Sequence, residues 1–487
     1  MKKLITVLLV LAMLVSVIAC SKEAGGNKET TNGITTEPTV TKDPDSLVLP
    51  EKTFDGMAYR ISTLEGNLTT EVFADESAGT DIRTDSLIRR NAMIEDTYDV
   101  VIEPVISTAT GSAYAHVEEI INLALSEEDQ CDIALTYAFA SGNLVTTGVT
   151  VNWLDFDTVD FSKSYWINDV NQNLIIDDAV YTVVGDMCIS SLILTYGMFY
   201  NRTVGDRTEG LTESIFEAIE NGEWTIDYFN DIVKDIYDDV DDVPGRSAGD
   251  FYGFTAESLT NLDIWQFAFD IPMIVHNSEG GLDCVFNTER TSVAVDKINR
   301  LYWENTGSSI HTSNACTKYF AQGKALFHTA WLDYCFWDLR GMEDNYTILP
   351  YPMFDENQEK YMSGAMDNYN VITMPYTCPN KDDVAFITEA MNYYSRQIMY
   401  PAYYEESLQK QFTRDPETVE MLDLIMDGRS FDLGTIFNGS IGGIGMMFRG
   451  AVSSKTNDFA KYYAQSEEAI NNGLKSLIET YEANKMN

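Results

Sequence analysis

The chain has 487 residues, 45% apolar and 12% aromatic, a composition that fills a hydrophobic core and excludes a disordered or fibrous protein. Its 76 acidic against 32 basic side chains give a net charge of −44, which repels nucleic acid and anionic lipid headgroups and so excludes functions that need a basic surface. The seven cysteines include no CxxC pair; the six beyond Cys20, at 131, 188, 284, 316, 335 and 378, read as small buried hydrophobes with no obligatory bridge among them.

At the amino end, Lys2 and Lys3 precede an apolar stretch at residues 4–18 that closes with Val17-Ile18-Ala19-Cys20. Charged, apolar and small-residue regions in this order read as a secretory signal, and the apolar part is too short to span a bilayer comfortably. The closing tetrapeptide resembles the lipobox of bacterial lipoproteins, whose cysteine thiol accepts a diacylglycerol before the signal is cut. The resemblance implies a signal peptide at 1–19 and a lipid on Cys20 that holds the protein at the extracytoplasmic face of the cell membrane. From Cys20 to residue 46 the chain is Ser, Thr, Gly, Asn, Pro and charge without apolar periodicity. It reads as a flexible tether of roughly 30 Å mean span.

Residues 47–487 exceed one ordinary core, so two lobes are expected. Residues 57–64 (MAYRISTL) predict a strand, and residues 83–98 a helix with Leu87, Ile94 and Tyr98 on one face. Residues 99–106 (DVVIEPVI) predict a second strand, and Val117, Ile120, Ile121, Ala124 and Leu125 mark a second helix. Residues 131–138 (CDIALTYA) predict a third strand. Strand, helix, strand, helix, strand argues for parallel βαβ units. Residues 180–200 hold one formal charge, Asp186, and read as two buried strands flanking a loop at Gly185-Asp186. A helix over 225–237 comes next, with Ile226, Phe229, Val233 and Ile236 inward. The acidic run at 235–242 reads as a solvated turn, since a calcium loop would need regular oxygen ligands and a closing Glu. Residues 323–331 and 345–351 are strand-like, helices start near Asp382 and Glu417, and residues 458–484 predict one closing helix.

Known catalytic patterns do not appear. The four histidines at 116, 276, 311 and 328 are far apart and form no HExxH, so no metal site is expected. The run at 439–445 (GSIGGIG) lacks the GK[ST] of a phosphate loop, and Phe448 stands where a dinucleotide fingerprint needs its last glycine. Ser440 lacks the spacing of a nucleophile elbow.

Several stretches carry a family resemblance. Asp132-Ile133-Ala134-Leu135, the segment ending Phe199-Tyr200-Asn201, Trp224 before a helix, Phe320-x-x-Gly323-Lys324-Ala325-Leu326-Phe327 and Ile348-Leu349-Pro350 resemble extracellular solute-binding proteins of ABC importers. RNAMIEDTYDV, GKALFH, ILPYPMFDENQEKYMS and PAYYEESLQKQFTRDPETVEMLDLI resemble a lipoprotein subgroup of the sugar-type binders. The resemblance runs from about residue 50 to the C-terminus. It implies an α/β, two-lobed periplasmic-binding-protein-like fold of type II, the maltose-binding-protein manner, with a ligand cleft between lobes joined by crossing strands. Lobe one would hold 47–187 and 367–402, and lobe two 188–366 and 403–487.

Carried over residue by residue, the resemblance places ligand contacts at Tyr137 and Phe139 after the third strand and at Asp186 before the first crossing. It places others at Asp367 in the second crossing and at Trp331, Asp333 and Tyr334 after GKALFHTA. Aromatic faces pack on the C–H faces of sugars, and carboxylates accept from their hydroxyls. The implied function is non-catalytic: a monomer without cofactor that captures a carbohydrate, an oligosaccharide in the first instance, and delivers it to a membrane permease powered by an ATPase. A secreted glycan-active hydrolase or a surface adhesin is the competing class. Within the binder class the alternatives are a cationic, peptide or amino-sugar ligand, which the acidic candidates keep open.

Overall fold

The computed structural model describes residues 45–74, 81–109, 112–241, 243–313, 316–412 and 416–485. The signal segment, Cys20 and nearly all of the tether lie outside them.

The first βαβ units form where the periodicity places them. Strand β1 (Met57–Thr63) buries Tyr59 and Ile61. Helix α1 (Ile82–Tyr98) begins at Asp81, whose carboxylate accepts the Arg83 and Thr84 amides, both at 3.0 Å, and so satisfies two donors left open by the first turn. It ends at Asp99, in the left-handed region at φ 51°, which turns the chain into β2 (Val100–Ile106). Ser112 caps α2 (Ala113–Leu125), which buries Val117, Ile120 and Ala124. Leu125, expected inward, is 61% exposed because the helix stops there. Strand β3 (Ile133–Tyr137) passes directly into α3 (Ala138–Thr146).

Residues 180–200 are not two full strands. Val183 makes an isolated antiparallel bridge to Ile372, a helical turn occupies Ser190–Ile193, and only β4 (Tyr196–Asn201) is a strand proper. Helix α4 (Ile226–Val233) is shorter than expected, because Tyr237–Asp238 leave it to form strand β5. Then come β6 (Phe251–Glu257), α5 (Thr260–Ala268), β7 (Ser308–His311), β8 (Ala325–Trp331) and β9 (Tyr346–Leu349). Strand β10 (Asn370–Thr373), α6 (Lys381–Tyr394), α7 (Pro416–Asp427) and α8 (Met447–Ser453) complete this part of the chain. The closing helix is broken: Phe459–Tyr463 forms a short piece, and α9 (Glu467–Asn484) the rest.

Two sheets result. The first has the order β10-β3-β1-β2, with β1, β2 and β3 parallel and β10 antiparallel to β3. The second has the order β9-β4-β8-β6-β5, with β7 beside β6; β6, β7 and β8 are parallel and β4 runs against β8. The chain passes between them in adjacent crossings, held by the Val183–Ile372 bridge, the Thr195–Ala365 bridge and the pairing of Ser363–Gly364 with Arg429–Ser430. One buried apolar cluster runs from Tyr59 and Ile133 through Trp166, Val183 and Met187 to Phe254 and Trp265, so the crossings are packed rather than free. The C-terminal segment touches elements of both sheets: Arg449 of α8 pairs with Asp263 of α5, while Asn484 of α9 donates to the Val145 carbonyl of α3 at 3.2 Å.

Cysteines 131, 188, 316, 335 and 378 are buried thiols, and Cys284 is partly buried. Among the described residues no helix is long and apolar enough to cross a membrane.

Candidate functional site

In open α/β sheets, ligands bind beyond the carboxyl ends of the parallel strands, where side chains at strand ends and helix starts converge. Here those ends are Thr63, Ile106 and Tyr137 in the first sheet and Glu257, His311 and Trp331 in the second. Antiparallel pairing brings Asn370 beside Tyr137 and Tyr196 beside Trp331.

Three candidates gather at the first sheet. Tyr137 is half-buried, and its hydroxyl reaches Asn67 Oδ1 at 3.5 Å; Asn67 in turn donates to Asn370 Oδ1 at 3.0 Å. The ring of Phe139 lies 6.1 Å from that of Tyr137 and 5.3 Å from Tyr114 of α2. The Phe139 amide donates to the Asp367 carbonyl at 3.1 Å, which ties the start of α3 to the second crossing. The Asp367 side chain accepts from Arg449 at 3.1 Å, and the same guanidinium donates through Nε to Asp263 Oδ2 at 2.8 Å. Burial raises the Asp367 carboxyl above the usual carboxylate range. It pushes Asp263 up to about 7 in spite of Arg449. Burial works against the charge on Arg449, but the two carboxylates outweigh it and hold the guanidinium firmly protonated.

Trp331 and Tyr334 gather at the second sheet. Their rings are 4.5 Å apart, and Trp331 also meets Tyr196 edge-on at 5.6 Å. The Tyr196 hydroxyl shares a hydrogen bond with Thr260 Oγ1 at 2.8 Å, and its charged form would feel both Glu257 and Asp367. Trp331 is half-buried, whereas Tyr334 is buried in the packing beneath it.

Asp186 and Asp333 stand apart from these groups. Asp186 is buried at the first crossing, 3.5 Å from the Arg396 guanidinium, with Arg429 nearby; burial still takes its carboxyl up to about 7. Asp333 accepts from the Trp337 indole at 2.8 Å and lies near Arg83, which stacks over Phe336 with 4.1 Å to the ring centroid. Asp333 thus faces a junction of α1 with the chain after β8.

Residue patterns did not single out Arg449, Asp263, Glu257, Tyr114 or Tyr196. The available signal was Arg449 itself, a lone charge in the apolar run MMFRGAV. The described residues of the acidic run, 235–241, are exposed or half-buried, and outside the run Asp250 is buried, accepting from the Ser247 amide at 2.7 Å and the Tyr237 hydroxyl at 3.1 Å.

No family model matches the chain, and no curated protein matches it in sequence. Solved structures do. The GacH receptor of Streptomyces glaucescens, described unliganded and with acarbose, has a TM-score of 0.54 at 11% identity, over 86% of this chain and 99% of that one. An ABC transporter solute-binding protein from Thermotoga lettingae, bound with α-D-tagatose, has a TM-score of 0.52 at 11% identity, over 87% and 100%. An ABC substrate-binding protein from Listeria monocytogenes, in complex with cycloalternan, has a TM-score of 0.52 at 12% identity, over 86% and 100%. The likeness spans nearly the whole of each neighbour and both sheets of this chain, whose architecture is therefore the α/β, periplasmic-binding-protein-like fold of ABC-transporter solute-binding proteins.

Proposed function

We propose that this protein is the substrate-binding lipoprotein of an ABC importer, a non-catalytic receptor that captures a carbohydrate and presents it to a membrane permease. One observation carries the reading. In a fold shared with sugar-bound transport receptors, the carboxyl ends of both sheets bring half-buried aromatic rings next to carboxylates. Tyr114 and Phe139 stand beside Asp367 on one side, with Tyr137 next to Phe139, and on the other side half-buried Trp331 packs on buried Tyr196, which lies near Glu257. Rings offer faces for sugar C–H groups, and sheltered carboxylates accept from hydroxyls. Asp186 and Asp333 are assigned supporting roles at the hinge and at the α1 junction rather than direct contact.

A thermal-shift screen against a sugar library tests capture. A ligand at a hundred times its Kd stabilises the folded state by about 2.7 kcal/mol, which raises the melting temperature. A library without a single stabilising sugar, joined to release of new reducing ends from a glycan, replaces this reading with the hydrolase. The lipid anchor is tested separately. Cys20→Ser should release the domain into the medium or leave the signal uncleaved, and a cleaved, unacylated variant that stays on the membrane overturns the anchor.

A further inference from the structure

We infer that the protein carries a second carbohydrate site outside the cleft, a cavity at the amino end of the first sheet that takes a neutral mono- to trisaccharide. Its place follows from the pairing of β10. Asn370 lies beside Tyr137 and Thr373 beside Ala134, so the chain leaves β10 at the end of β3 opposite the cleft. There Pro375 bridges to Thr150, and the Tyr376 amide donates to the Val149 carbonyl at 2.9 Å. The loop after α3, the start of α6 and the end of α9 enclose a cavity of about 830 Å³ at this corner. Pockets that take a small organic ligand run from roughly 300 to 1,000 Å³.

Two hydroxyls in the lining point to a ligand. Tyr181 is 1% and Thr150 7% exposed, and neither Tyr181 Oη nor Thr150 Oγ1 has a hydrogen-bond partner among the described residues. The Tyr181 ring stands edge-on to Tyr481, with centroids 4.9 Å apart. Burial pushes its phenol up to about 12, and Asp155 and Asp177 add to the effect. Asp155 itself lines the cavity, and Asp177 pairs at 2.8 Å with Lys485, which lines it too, so the hydroxyl end of the ring is on the cavity side. An enclosed hydroxyl without a partner destabilises the fold, and a ligand that both donates and accepts recovers that loss.

The rest of the lining selects the class. Asp155 and Asp382 stand against Lys381 and Lys485, a near balance in a chain of net charge −44 that favours a neutral ligand over an anion or a cation. Phe156, Tyr181 and Tyr376, the last 38% exposed, supply aromatic surface, and Asn152 and Asn484 supply carboxamides. Rings pack on the C–H groups of a sugar, while hydroxyls and carboxamides exchange hydrogen bonds with its hydroxyls. A purely apolar ligand would leave Tyr181 and Thr150 unpaired.

The test is equilibrium dialysis of radiolabelled glucose, maltose, maltotriose and cellobiose against the full-length protein and its variants. At least one of these sugars should bind at two sites per chain. Trp331→Ala, which acts in the cleft, should leave one of the two unchanged. Tyr181→Phe should weaken that site about tenfold, the worth of one ordinary hydrogen bond, and leave the cleft site as it was. The hydroxyl it removes has no partner among the described residues, so the unliganded melting temperature should not fall; Thr150→Val serves as the second variant should the first fail to fold. In Trp331→Ala, saturating sugar should also slow hydrogen exchange at residues 148–156 and 376–382. A single site that Trp331→Ala weakens and Tyr181→Phe leaves unchanged overturns the inference and leaves sugar capture in the cleft standing. A single site with the reverse pattern keeps the inference and overturns capture in the cleft. Failure of all four sugars to bind overturns the inference, and failure of the wider sugar library as well overturns the capture reading.

Discussion

Trp331 ends a buried strand with one part of its indole against Tyr196 and Tyr334 and another part open, so it packs and is available at once. Trp331→Ala should weaken sugar binding by about 2 kcal/mol, the threshold of an interface hot spot, or roughly thirtyfold in Kd, with Trp331→Phe losing less. Paired melting and calorimetry separate the two roles. A steep fall in the unliganded melting temperature with unchanged affinity would assign the indole to packing alone. Residues like this one were legible because GKALFHTAW reads as a strand that runs into an aromatic end. Asp263 and Arg449 were not, since they meet across 186 positions of sequence and neither lies in a recurring pattern. Asp186 was conspicuous for its isolation in an apolar run, and the structure places it as a buried carboxyl beside Arg396 at the first crossing.

Helix α6 is anchored to the segment at residues 160–166 through Glu389. This side chain accepts from the Tyr165 hydroxyl at 2.6 Å, the Trp166 indole at 2.8 Å and the Asp160 amide at 3.4 Å, and so holds the loop before the first crossing on the helix. Burial raises its carboxyl from 4.5 to about 7. The native state therefore keeps a proton that the unfolded chain has lost, and the stability this group contributes falls as pH rises from about 4.5 to 7. Glu389→Gln should remove that slope. Its stability relative to the parent should improve by on the order of 3 kcal/mol across the window in denaturant titrations, and a constant difference at all pH values would refute the assignment. Helices α1 and α2 at the amino end were legible because each has an exposed polar face to mark its period. The stretch at 180–200 was not, because nearly every residue in it is buried and a helical turn there looks the same as a strand. The break before α9 was hidden for a related reason: Phe459, Tyr463 and Ile470 stay buried on both sides of it, and no Pro or Gly marks the interruption.

At the scale of the whole molecule, ligand binding should rotate the two sheets about the crossings near 186–192 and 367–372. Closure at such hinges is absorbed by a few residues at element ends. Small-angle scattering should give a smaller radius of gyration with saturating sugar than without it, and an identical radius would point to a receptor that is already closed. The first sheet also bears on how the protein is made. Strand β3 receives its outer neighbour from β10, and the paired residues Ala134 and Thr373 are 239 positions apart. Until the ribosome has supplied that distant strand, β3 stands as an open edge, and contacts of such long range are slow to form. For the exported lipoprotein proposed above, late closure of the amino-terminal sheet would keep the nascent chain unfolded longer, since contacts of such sequence separation form slowly. It also sets a hazard, since the same open edge at residues 133–137 invites association with other nascent chains until residues 370–373 arrive to cover it.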